Sequence, residues 1–230
     1  MRKRNFILIE LLVVIAIIAF AQEICGSPLK VAQNFANENS EEKPAVVASP
    51  LIKDGVIGKV PGCNVLVNTT QPTVDNPLKF AGDASTKLQI KVPQKASMSF
   101  VADVIVDELP KTGISEIVTR RGCHSVLGID PRGRVIFTMW YADKSTVNQV
   151  LAKRLLQVGE TTRIAATVDV QDGQTTISLY LDGQLQNTRT TAQMPYPYGP
   201  VLNIGNKLKG GILNLFWAGA CLSQEELQNL

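Results

Sequence analysis

The sequence contains a single histidine, His124. No His-rich metal site can be built from it, and a Ser-His-Asp arrangement would have to gather around that one residue. The four cysteines, Cys25, Cys63, Cys123 and Cys221, include no Cys-x-x-Cys pair, which argues against a structural zinc site. A Walker loop, a dinucleotide fingerprint and a Gly-x-Ser-x-Gly elbow are all missing. No second long apolar run follows the N-terminal one, which argues against a polytopic membrane protein. Nor is one sign of charge in excess. The 23 bases and 20 acids give +3, but Arg2, Lys3 and Arg4 precede the apolar run, and without them the balance is neutral. No nucleic-acid partner is expected.

What remains is a chain of 230 residues, 45% hydrophobic, long enough for one domain plus a tail. That fraction is too apolar for a wholly disordered chain. Arg2-Lys3-Arg4 is followed by an apolar run, Phe6 to Ala21, interrupted by Glu10. A basic start before an apolar helix is a targeting segment, and the bases stay cytoplasmic while the rest is exported. A carboxylate inside such a run is costly and marks a function. Residues 1–21 are read as this segment. Residues 22–50, which mix polar, acidic and Pro residues, form a linker with one short helix around Leu29–Ala36. Residues 51–230 form the domain.

Within that domain the dominant period is two. Leu88, Ile90 and Val92 alternate with polar residues, as do Ile164, Ala166, Val168 and Val170, and Ile177, Leu179 and Leu181. The run Val135–Tyr141 is apolar on both faces. These patterns predict antiparallel strands. Asp172-Gly173 and Asp182-Gly183 separate such runs, and Asp-Gly between strands is a hairpin signal because Gly accepts the positive φ of a type I′ turn. Asp130-Pro131-Arg132-Gly133 marks another turn. Many short strands with frequent turns predict an all-β sandwich or jelly roll. Only the end changes period: Ser223 with Glu226 makes a capping box, and Leu222 with Leu227 a hydrophobic staple, so a short helix begins at Ser223.

Two family resemblances rest on these residues. The stretch Phe6-Ile7-Leu8-Ile9-Glu10 through Ile18 resembles the N-terminus of type IV prepilins and pseudopilins. The resemblance implies cleavage between Asn5 and Phe6 by a prepilin peptidase, methylation of Phe6, and pairing of Glu10 with the amine of a neighbouring pilin-like subunit. Asn5 stands where that family has Gly. Two other routes stay open: cleavage of an ordinary secretory signal after Ala21, whose Ala19-Phe20-Ala21 fits one, or an uncut inner-membrane anchor through residues 6–21. Further on, Leu78-Lys79-Phe80-Ala81-Gly82, Gly128-Ile129-Asp130-Pro131-Arg132-Gly133, Thr162 to Asp169, Leu179-Tyr180-Leu181-Asp182-Gly183, Leu202-Asn203-Ile204-Gly205-Asn206 and Gly211-Ile212 occur in that order. The order is similar to that of the laminin-G-like, concanavalin A-like jelly roll. Some relatives carry calcium, the one cofactor the resemblance permits. Where relatives have an acid after the isoleucine of the closing strand, this chain has Leu213 and Asn214.

Candidate ligand contacts are Trp140, Tyr141 and Asp143 after the central strand, and Tyr196 and Tyr198 in a Pro-rich loop, because flat aromatic faces beside polar groups suit sugar rings. Cys63 and Cys221, on the first and last strand segments, are the disulfide candidates, with buried free thiols as the alternative. No catalytic residue is assigned. Asp103 and Asp107 share a strand face about 13 Å apart, beyond the roughly 5–9.5 Å of glycosidase carboxylates, and are read as a solvated strand edge. The leading expectation is an exported or envelope-anchored, non-catalytic binding or adhesion protein. Its partner would be a polysaccharide or a surface protein. A pseudopilin-type subunit of a filament or secretion apparatus is the alternative, and a glycan-active enzyme ranks below both.

Overall fold

Alternating apolar residues can bury one face of a strand only if a second sheet meets it, and that requirement shapes the domain. The computed structural model describes residues 47–70, 77–83, 85–120, 125–140, 147–195 and 199–230. The targeting segment with Asn5, Phe6, Glu10 and Ala21, the linker helix, Cys25, Cys123, His124, Tyr141, Asp143, Tyr196 and Tyr198 lie outside the described residues. No described helix is long and apolar enough to cross a membrane.

The strands in chain order begin with β1 (Ser49–Lys53), β2 (Val56–Ile57), β3 (Asn64–Asn68), β4 (Leu78–Ala81) and β5 (Leu88–Lys91). Next come β6 (Met98–Glu108), β7 (Ser115–Arg120), β8 (Ser125–Ile129), β9 (Arg134–Trp140) and β10 (Val147–Leu155). The series closes with β11 (Thr161–Gln171), β12 (Gln174–Leu181), β13 (Gln184–Thr191), β14 (Val201–Ile204) and β15 (Lys209–Ala218), followed by α1 (Gln224–Gln228). They form two antiparallel sheets. The first has the order β13-β12-β11-β6-β15-β1-β2 with β4 also on β15, and the second the order β10-β9-β8-β7-β14-β5-β3. This is the expected jelly-roll sandwich. β1 starts at Ser49, which pairs with Trp217, so the last two residues of the stretch read as linker, Ser49 and Pro50, belong to a strand.

Period two becomes core. Met98, Phe100, Ala102, Val104 and Val106 of β6 face Val135, Phe137 and Met139 of β9 across one continuous cluster. Both predicted Asp-Gly turns adopt positive φ at each residue, 50° and 73° at Asp172-Gly173 and 47° and 73° at Asp182-Gly183. Asp54-Gly55, between β1 and β2, does the same and carried the same signal. The Asp130 carboxylate accepts from the Arg132 and Arg134 amides at 2.8 and 2.9 Å, an Asx turn that launches β9. The capping box at Ser223 is present, and Leu222 and Leu227 are buried together.

Among the described contacts that tie the sheets to each other, two lie near the groove end of the sandwich. Arg120, fully buried, donates to the carbonyls of Gly199 and Pro93 at 3.0 and 3.1 Å and lies 3.2 Å from the Met98 sulfur of the opposite sheet. Phe80, on β4, packs on the backbone of Gly205 just after β14. A Cβ at residue 205 would lie 2.2 Å from its ring, where φ is +70°. The Leu-x-Phe and Ile-Gly-Asn motifs are thus the two halves of one contact.

Gly205→Ala is expected to lower unfolding free energy by about 3 kcal/mol, from the left-handed backbone and the crowded ring together. In a Phe80→Ala background, itself weakened by about 3–5 kcal/mol, the same change should cost only about 1 kcal/mol, the backbone part. Urea unfolding of the four proteins measures the coupling; simple additivity would contradict the contact.

Candidate functional site

A sandwich has two outer faces, and here their chemistry differs. Over the first sheet, the chain after β15 folds back on itself. Ser99 donates to the Ala220 carbonyl at 2.8 Å and accepts from the Leu222 amide at 2.9 Å. Leu222 and Leu227 then bury themselves on Val101, Ala165 and Ala218, with Tyr180 and Phe216 packed beside them. Gln224 pins α1 to the Gly183 carbonyl at 2.9 Å.

Beside that cover lies Asp103, which is not the solvated edge expected from sequence. β6 is a central strand between β11 and β15, and Asp103 is only 7% exposed. Arg163 forks onto it with Nε–Oδ1 2.8 Å and Nη2–Oδ2 3.0 Å. Asn214 donates to Oδ2 at 2.7 Å and accepts the Asp54 amide at 3.0 Å. Burial pulls the Asp103 carboxyl up, but the hydrogen bonds of Arg163 and Asn214 and the charge of Arg163 outweigh it and hold the group below the ordinary carboxylate range. Asp107 turns to Lys79 instead, at 2.9 Å. The two acids are therefore structural partners of separate cations.

The second sheet presents a different surface. Successive registers place Gln149 opposite Thr138, Thr138 opposite Val126, Val126 opposite Thr119, Thr119 opposite Asn203 and Asn203 opposite Gln89. Directly opposed residues share a face, so a row of amides and hydroxyls, interrupted by Val126 on β8, runs across six strands. Gln149 donates to Thr138 at 3.1 Å, and Gln89 donates to Asn203. At the β5–β14–β7 end this face opens into a groove of about 410 Å³, whose polar lining includes Lys87, Glu116, Thr119, Asn203 and Asn206. Glu116 organises it. Its Oε2 accepts from the Thr119 hydroxyl and from Asn206 Nδ2 at 2.8 Å, while its amide donates to the Asn206 carbonyl at 2.8 Å. Both side-chain bonds fall on one oxygen, which leaves Oε1 as an acceptor for a bound group. Amide donors, hydroxyls and one carboxylate offset by one lysine suit a neutral polyol better than an apolar ligand.

Trp140, half-buried, shares a face with Thr138 on β9 but is not among the groove's lining residues. Glu116, Thr119, Asn203 and Asn206 were not singled out from sequence. Asn203 and Asn206 stood inside a motif read only as fold, and nothing local marked Glu116. Cys63 is a free thiol. Cys63 packs against the main core before β3, an edge strand of the second sheet, whereas Cys221 follows β15 of the first, so the expected bridge is not formed. Burial pushes the Cys63 thiol up, which keeps it protonated and inert. No described group of three His, Cys, Asp or Glu side chains could hold a metal, and Asn214 is committed to Asp103 and Asp54.

Comparison with known proteins agrees with the architecture. A laminin-G-type family model, described as the Concanavalin A-like lectin/glucanases superfamily, matches residues 80–222. No curated protein matches significantly. Among solved structures, the binding domain of Paraclostridial Mosquitocidal Protein 1 superposes with TM-score 0.55 at 9% identity, over 82% of this chain and 48% of that one. The receptor-binding domain of botulinum neurotoxin type G gives 0.53 at 11%, over 81% and 46%. Domain 4 of AbnA, an extracellular arabinanase from Geobacillus stearothermophilus solved with arabinotriose, gives 0.50 at 13%, over 73% and 86%. The chain spans about half the length of the two toxin domains. At such identities the likeness is one of fold.

The Asp103 network carries a pH signature. A carboxyl whose pKa is lowered by folding contributes stability above its unfolded value, about 3.9, and loses it as pH falls through the folded value. Asp103→Asn should destabilise by about 2 kcal/mol near neutral pH, a buried-pair cost reduced because Arg163 is partly exposed. Urea midpoints should show that gap narrowing once the pH drops below about 4. A gap independent of pH would exclude the ionised carboxylate as its source.

Proposed function

The chain belongs to the concanavalin A-like lectin/glucanase superfamily, and from that premise we propose that it is an exported, non-catalytic protein that binds a saccharide on the outer face of its seven-stranded sheet. The observation that carries this reading is the contrast between the two faces. One is covered over its β6–β11–β15 part by the chain's own C-terminal segment, while the other opens a groove of fixed amides with one carboxylate and one lysine. Sugar hydroxyls both donate and accept, and Glu116 with Asn203 and Asn206 offers both partners within one groove. Trp140 on the same face adds a flat apolar surface of the kind that the C–H face of a sugar ring packs against.

Binding without cleavage is favoured because hydrolysis of a glycosidic bond uses two carboxylates, and Glu116 is the one carboxylate among the groove's described lining residues. The arabinotriose bound to domain 4 of AbnA supports a saccharide ligand for this fold, and the extracellular setting of that enzyme is consistent with export. Asp143, Tyr141, Tyr196 and Tyr198 remain the candidates for further contacts. On a glycan panel the mature chain should retain at least one polysaccharide. Glu116→Ala with Asn203→Ala should weaken retention roughly ten- to a hundredfold, the worth of hydrogen bonds to a charged and a neutral group, in protein that circular dichroism shows to be folded. Binding that survives the double change would move the site elsewhere.

A second reading is favoured by Glu10 alone. In the apolar run Phe6–Ala21 a carboxylate finds a partner in the N-terminal amine of an adjacent subunit, as the prepilin resemblance implies. Here the domain would decorate a filament or secretion apparatus in the envelope after processing at Phe6 by a prepilin peptidase. Glu10→Ala is then expected to abolish incorporation into such assemblies while leaving glycan retention intact; normal incorporation would eliminate this reading.

A further inference from the structure

Four described non-glycine residues have positive φ. Three are Asp54, Asp172 and Asp182, each opening an Asp-Gly turn, where a short polar side chain tolerates the left-handed region. The fourth is Lys207, with φ 58°. Its long side chain gains nothing there from local hydrogen bonding, and the conformation persists because its surroundings impose it. The Ser115 hydroxyl donates to the Lys207 carbonyl at 2.9 Å, the Glu116 amide to the Asn206 carbonyl at 2.8 Å, and the Leu208 amide to Gly205 at 3.1 Å. Backbone strain held in place by its neighbours points to a use.

Lys207 lines a cavity of about 600 Å³ with Lys111, Lys209, Asp83 and Glu108, and this cavity meets the saccharide groove at Asn206, which lines both. The charges inside it are unevenly engaged. Asp83 accepts the amide and hydroxyl of Ser85, and Glu108 is paired with Lys209. Lys111 and Lys207 form no ion pair with a described residue. We propose that this cavity takes the anionic substituent, a carboxylate or sulfate ester, of a saccharide whose uncharged part lies in the adjoining groove, an inference that rests on the binding reading above. An ammonium is a point charge that accepts an oxyanion in many orientations. In the groove Lys87 offsets Glu116, whereas the cavity holds three lysines against two carboxylates, so the surplus positive charge lies on the lysine side of Asn206.

The test compares the affinity of the full chain for polygalacturonate with its methyl ester, and for dextran sulfate with dextran. In at least one pair the anionic polymer should bind roughly tenfold tighter through charge-assisted contacts, and the margin should shrink as salt rises. Lys207→Gly should erase the margin while leaving binding of the uncharged polymer intact. Because glycine suits a positive φ, its melting temperature should hold or rise, which separates lost recognition from lost folding. Equal affinities within each pair, or a margin that survives Lys207→Gly combined with Lys111→Ala, would overturn this inference and leave the saccharide groove standing. Failure of all four polymers to bind would overturn both.

Discussion

The ring of Phe80 occupies the space where a side chain at residue 205 would have to be, and much of the domain's outer chemistry depends on that contact. It fixes the end of β14 in one sheet against β4 of the other. The chain must then turn through Gly205, Asn206 and Lys207 within a few ångströms before entering β15. Leu208, fully buried, seals the turn from inside. With the turn held, Asn206 meets Glu116 on one side and Lys207 is presented on the other. A packing constraint between two core elements therefore sets the geometry of a surface groove.

The second organising feature is β6. Most strands in a two-sheet sandwich bury one face and wet the other, but from Met98 to Val104 both faces of β6 are buried. Its inward residues build the main core. Its outward ones, Ser99, Val101 and Asp103, serve respectively as the hydrogen-bonded seat of the C-terminal segment, its apolar floor and the centre of an ion-pair network. A charged residue is tolerated there because Arg163 and Asn214 leave neither carboxylate oxygen unsatisfied. The consequence is a division of labour. Part of one outer face is spent on stability, and the proposed ligand groove lies on the other.

On that other face, affinity would come from many modest contacts rather than one deep pocket. Polar row, half-open groove and an indole elsewhere on the same face match a ligand that is itself amphipathic, with hydroxyl edges and apolar faces. The scaffold supplies rigidity, since the groove residues sit on strands and on one tightly bonded turn, so little ordering entropy is lost on binding.

By itself the sequence determined whatever depends on neighbours along the chain. Period-two alternation located the strands around residues 88–92, 135–141, 164–170 and 177–181. Asp172-Gly173 and Asp182-Gly183 announced their turns through a backbone preference carried by two residues, and Ser223 with Glu226 announced α1 through a reciprocal bond three residues apart. Fold class followed from these. Only the tertiary structure decided the roles of single polar residues, because their partners lie far off: Asp103 meets Arg163 sixty residues away and Asn214 at 111, and Glu116 meets Asn206 at ninety. An isolated aspartate in an alternating strand reads as solvated. It became a buried ion pair because the sheet order put β6 at the centre, and no local pattern of side chains encodes which strand will be central.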